Sequence, residues 1–175
     1  YRVEVLTAPG NHDVCWPLAL AQRFDSKTKN LSADKVSYPE LARYSLTAFR
    51  EFSQGVDPLL SWDKNRHYWV AGNYRQAGLI LFGLNTSEDL DEWGLPTRRL
   101  TDSTMARLFA DIAKLKRDAP QALLVGLMHH PLDQSEEQIL NVSEFKRNIN
   151  EVTGSIVLLT GHVHEEATSL TTLGN

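Results

Sequence analysis

The chain of 175 residues has a single cysteine, Cys15, so no disulfide can close within it. A reducing compartment suits that composition, and a cytoplasmic location is the expectation. Cys15 reads as a small buried hydrophobe, although Asp13 stands close enough in sequence to allow a metal-binding role. No apolar run approaches the roughly 20 residues that a membrane-spanning helix needs, so no membrane partner is expected. Positive charge is also scarce. Eighteen Lys and Arg face 22 Asp and Glu, a net charge of -4, which argues against nucleic acid as a partner. Repeats, low-complexity tracts and interdomain linkers are absent from the sequence, and residues 1–175 read as one domain.

Apolar runs alternate with helical periodicity along this chain. Val3–Leu6 reads as a strand broken by Ala8-Pro9-Gly10, and Cys15–Phe24 as a short helix with Pro17 in its first turn. Asp25–Lys35 is a polar loop. Ser37 then caps a helix in which Leu41, Tyr44, Ala48, Phe49 and Phe52 form a core-facing stripe, with Gly55 as the stop. His67–Ala71 and Ala77–Leu84 predict a hairpin turning at Gly72-Asn73, the second strand apolar enough to be buried on both faces. Thr101 or Ser103 caps a helix carrying Met105, Leu108, Phe109, Ile112 and Leu115, and Pro120 ends it. Ala122–Met128 and Ser155–Thr160 are two further buried strands, separated by a short helix capped at Ser143. The pattern predicts a layered α/β domain with a mixed sheet.

Five of the six histidines fall in three short segments, each just past a predicted strand: Gly10-Asn11-His12-Asp13, His129-His130-Pro131 and Gly161-His162-Val163-His164. Ligands in open α/β sheets bind beyond the carboxyl ends of the strands. Imidazoles gathered there form a metal site, and metal-dependent hydrolysis is the leading expectation. His162 and His164, two apart, project to one side of extended chain, and Gly161 permits a sharp bend before them. Of the adjacent pair His129 and His130, only one can reach a given pocket. His129 is taken as the ligand, and His130 as a residue behind it or facing substrate. The Asn11 amide oxygen is a neutral hard ligand. His12 titrates near neutrality and suits a proton donor, with Asp13 able to hold an imidazole in one tautomer.

In this order the three segments resemble the calcineurin-like metallophosphoesterase superfamily, and the resemblance spans Gly10 to His164. It implies a β-sandwich flanked by helices and a centre of two divalent ions. Asn11, His129 and His162 would bind one ion and His164 the other. His12 would be the catalytic proton donor, assisted by Asp13. The nitrogen and oxygen donors suit Mn, Fe, Zn or Ni, and sequence does not choose among them. The implied substrate is a small-molecule phosphate mono- or diester. The Met128-His129-His130-Pro131 form looks most like the branches that act on cyclic nucleotides or other small phosphodiesters.

The sequence departs from the family in one respect. The family's Asp-x-His and Gly-Asp-x-x-Asp motifs, which supply the remaining ligands and the bridging carboxylate, do not occur in it. The expectation is an internal segment of a longer protein, with a fold incomplete at both ends. Two alternatives stand beside the phosphoesterase: a non-catalytic scaffold of the same fold, and a nuclease of the same superfamily. Trp16, Trp62, Trp69 and Trp93 read as packing residues rather than base-stacking ones, and Arg98-Arg99 as a solvated loop pair.

Overall fold

The computed structural model describes residues 6–9, 47–56, 67–88, 97–132, 139–153 and 155–161. The predicted helix Cys15–Phe24 and the cap at Ser37 lie outside them, as does all of the first predicted strand except Leu6. The first described helix, α1, spans Thr47–Val56. Gly55 sits inside it, not beyond it. Phe49 and Ser53, four apart and so on one face, are both buried. Phe52 departs from the expected core stripe and is 60% exposed.

Four strands follow: β1 (Tyr68–Ala71), β2 (Leu79–Leu84), β3 (Leu123–Met128) and β4 (Ile156–Thr160). They lie side by side in chain order. The hairpin between β1 and β2 is antiparallel, as expected. Its connection is a 3-10 turn at Arg75–Ala77, closed by Gly78 in the left-handed region at φ 74°. Ala77 therefore belongs to the turn rather than to β2. The other two pairs are parallel, joined through α2 (Asp102–Asp118) and α3 (Val142–Val152). Among the described residues the chain is thus α/β, with an open, mixed four-stranded sheet. Two right-handed crossovers that advance in one direction put their helices on one face. Accordingly α2 and α3 share a core with one face of the sheet.

That core follows strand alternation. Ile80, Phe82 and Leu84 of β2 point to it with Leu124 and Met128 of β3, against Leu108 and Ile112 of α2 and Phe145 and Ile149 of α3. The Phe109 and Phe145 rings meet edge to face at 5.4 Å and join the two helices. The opposite face carries Trp69, Leu81, Val125 and Leu127, covered by Phe49 of α1 and by Leu6 and Ala8. β2 is buried on both faces, as its unbroken apolar run predicts. β3 instead alternates, and β4, the last strand in the order, leaves Leu159 at 54% exposure, so neither is buried throughout. Two glycines make room for aromatic rings. A Cβ at Gly83 would overlap the Trp69 indole, and one at Gly126 would overlap the Phe82 ring. No helix among the described residues is long and apolar enough to cross a membrane.

Both ends of α2 are tied to the sheet. Thr101 is the N-cap, its hydroxyl accepting the Thr104 N–H at 3.2 Å. The Glu88 carboxylate, 4% exposed just past β2, accepts the Thr101 N–H at 3.1 Å and the Thr101 and Thr104 hydroxyls at 2.7 Å each. A carboxylate at a helix N-terminus also meets the favourable end of the dipole. At the other end Lys116 Nζ donates to the carbonyls of Pro120 and Ala122, each at 2.8 Å. The N-cap of α3 is Asn141 rather than Ser143. The Asn141 side chain makes no capping bond, because it is committed to the Leu100 carbonyl at 2.8 Å and the Leu100 N–H at 3.3 Å. Removing the Glu88 carboxylate strands several buried donors at once. Glu88→Ala should cost about 3 kcal/mol in urea unfolding, whereas the exposed Glu51→Ala should leave the midpoint nearly unchanged.

Candidate functional site

The strand register decides what meets at the carboxyl edge of the sheet. Met128 pairs with Leu84 on one side and Thr160 on the other. The next residues along each strand, Asn85, His129 and Gly161, therefore emerge side by side. The Gly161 N–H donates to the Met128 carbonyl at 3.3 Å and continues the ladder one step beyond β4.

The two histidines sit in a bend just past β3 and differ in surroundings. His129 lines a cavity of about 510 Å³. His130 is 1% exposed. Its Nδ1 lies 2.8 Å from the Thr86 hydroxyl, and its backbone N–H donates to the same oxygen at 3.2 Å. The two rings touch edge to face, with centroids 4.9 Å apart and planes at 77°. His130, expected behind the ligand or facing substrate, is thus buried and does not line the cavity, although it touches the ring that does.

Thr7, Ala8, Phe49, Phe52 and Gly161 share the cavity wall with His129. The Leu6–Pro9 segment is held there from two directions. Thr7 Oγ1 and Ser53 Oγ of α1 are 2.8 Å apart, and the Trp69 indole N–H donates to the Thr7 carbonyl at 2.9 Å. Trp69 is therefore a packing residue, as expected. Arg98 has a left-handed backbone, φ 57°, and its carbonyl accepts the Leu140 N–H at 3.0 Å, while Arg99 is exposed.

Asn11, His12, Asp13, His162 and His164 lie outside the described residues, as do Cys15, Trp16, Trp62 and Trp93. Their immediate flanks are described. Ala8 stands just before the Gly10–Asp13 segment, and Gly161 immediately precedes His162. Ala8, two residues before the first histidine segment, His129 of the second and Gly161, which opens the third, line one cavity. Among the described residues, no group of three His, Cys, Asp or Glu side chains is arranged to hold a metal ion. His129 is the described member of the expected ligand set. Its imidazole at a partly polar wall is the kind of donor that a borderline divalent ion takes.

A second polar group escapes sequence reasoning. Asn85, Thr86, Ser87 and Glu88 follow β2 and are all buried. Asn85 Oδ1 accepts the Ser87 N–H at 2.9 Å, so Asn85 Nδ2 is the atom facing His67 Nδ1 at 3.2 Å and must donate to it. His67 Nε2 then carries the ring proton and faces Glu88 at 3.9 Å. The available signal was four polar residues directly after a strand apolar on both faces. Loops at that edge are ordinarily solvated, so burial there marks a side-chain network.

No family model, curated protein or solved structure matches the chain.

Gly161 sets the room available to His129. A Cβ there would stand 3.3 Å from His129 Nδ1. Gly161→Ala should therefore displace the His129 ring by a few tenths of an ångström, moving its imidazole NMR resonances, while lowering stability by no more than about 1 kcal/mol. Unchanged His129 resonances would show that the ring is indifferent to this position.

Proposed function

We propose that the chain belongs to a metal-dependent phosphoesterase of the calcineurin-like type, hydrolysing phosphate mono- or diesters with two divalent ions, and that small phosphodiesters are its preferred substrates. One observation supports this reading: Ala8 shortly before the first histidine segment, His129 of the second and Gly161 of the third line a single cavity at the carboxyl edge of the sheet. Residues so distant along the chain need that edge to meet at all. The metallophosphoesterase-like sandwich flanked by helices is the finer form of the α/β fold that this reading takes. The net charge of -4 supports a small-molecule substrate over nucleic acid, and a cytoplasmic location accords with the lone thiol.

In this reading Asn11, His129 and His162 hold one ion and His164 the second. When bound, such a pair supplies Lewis acidity to the phosphoryl oxygens and to the attacking water. His12 protonates the departing oxygen, and Asp13 orients its imidazole. Continued as a strand, the register beside His129 would place His162 level with His130. The ligand set therefore requires the chain to turn at Gly161, and glycine is the residue that turns most freely. The acidic ligands of the family's other two motifs are not among these 175 residues.

The test is hydrolysis by the full-length protein in Mn²⁺ buffer, with bis(4-nitrophenyl) phosphate, cyclic nucleotides and single-stranded DNA as parallel substrates. Turnover of the small diesters is the expected outcome. Cleavage of DNA alone would favour the nuclease, and no turnover at all the scaffold. His12→Ala should lower kcat by about 10²–10⁴-fold with bound metal unchanged. His162→Ala should lower the bound metal itself, measured by elemental analysis. A His12→Ala enzyme of full activity removes His12 from the chemistry, and a His162→Ala protein of full metal content removes the ligand assignment.

A further inference from the structure

The Thr86 hydroxyl is wholly buried, two residues past the end of β2. A hydroxyl has one proton to give and two lone pairs to receive. The His130 backbone N–H occupies one lone pair at 3.2 Å. The remaining polar neighbour is His130 Nδ1 at 2.8 Å. A buried hydroxyl proton without an acceptor costs about 1–3 kcal/mol, and Nδ1 is the acceptor within reach. The proton therefore points at Nδ1. The ring nitrogen must present its lone pair there, and the ring proton must sit on Nε2.

From this geometry we propose that Thr86 is a positioning residue: it fixes His130 in the Nε2–H tautomer and in one rotamer, and through that ring it holds His129 facing the cavity. Two bonds run from one oxygen to the same residue, one to its backbone and one to its ring. Together they close a small cycle that restrains the torsions between them. The His130 ring so held is the surface against which His129 packs at 4.9 Å and 77°. On the cavity side Gly161 leaves the His129 ring its space. His129 thus packs against a ring that two hydrogen bonds hold in place. The proposal goes beyond the phosphoesterase reading and does not depend on it, since it concerns protons and rings of this chain alone.

The experiment is long-range ¹H–¹⁵N correlation NMR of the histidine rings in the full chain. The wild-type protein should show His130 protonated on Nε2, with its Nδ1 resonance moved in the direction that an accepted hydrogen bond produces. Thr86→Val, similar in shape but without the hydroxyl, should shift that Nδ1 resonance toward the value of an unbonded ring nitrogen. It should also move the His129 Hε1 and Hδ2 resonances as the packing of the two rings loosens. Thr86→Ser restores the hydroxyl and should bring both sets back. Should the valine variant fail to fold, the wild-type and serine spectra still decide. A proton on His130 Nδ1 in the wild type overturns the proposal, as does a folded Thr86→Val protein whose His129 resonances stay in place.

Discussion

The parallel register of β2, β3 and β4 is the constraint on which the rest of this molecule depends. Leu84, Met128 and Thr160 end level with one another, so three separate loops leave the sheet at one height. Backbone hydrogen bonding sets that level. A slip of one residue in β3 would carry His129 out of place beside Gly161 and His130 out of place beside Thr86. Phe82 over Gly126 and Trp69 over Gly83 help pin the register, because each ring needs a position without a Cβ opposite it.

The sheet edge is also divided by chemistry. Toward α1 lies an open space walled by Phe49, Phe52 and the Thr7 segment, with His129 and Gly161 at its end. Toward α2 lies a buried polar layer, in which Thr86 bonds His130, Asn85 bonds His67, and Glu88 accepts from the start of the helix. Breaking any one of these buried bonds is expensive.

Much of this arrangement was legible in the residues. Strands β2, β3 and β4 announce themselves as apolar runs, and α2 by its periodic stripe and its Thr101 cap. Features set by tertiary partners were not legible. Phe52 fits the helical spacing as well as Phe49 does, yet α1 turns only part of its stripe to the sheet. Ser143 is the better capping residue in isolation, but the bonds between Asn141 and Leu100 tie the neighbouring residue as the N-cap. The polar run after β2 looks like an ordinary loop until its depth is known. For the site, sequence located the three histidine segments, and Thr86 was found only because the fold brings it against His130.

The cavity wall joins Thr7 to Gly161, so its two sides come from residues far apart along the chain. Closing so long a loop is entropically slow compared with pairing β2, β3 and β4 through their own crossovers. On a ribosome the Thr7 segment emerges well before Gly161 and has to wait. Trp69 and Ser53 offer it early anchors, but the far wall is missing until β4 has been made. The pocket therefore closes only once β4 is in place, and a polypeptide released before β4 would pair β1, β2 and β3 yet lack that wall of the recess.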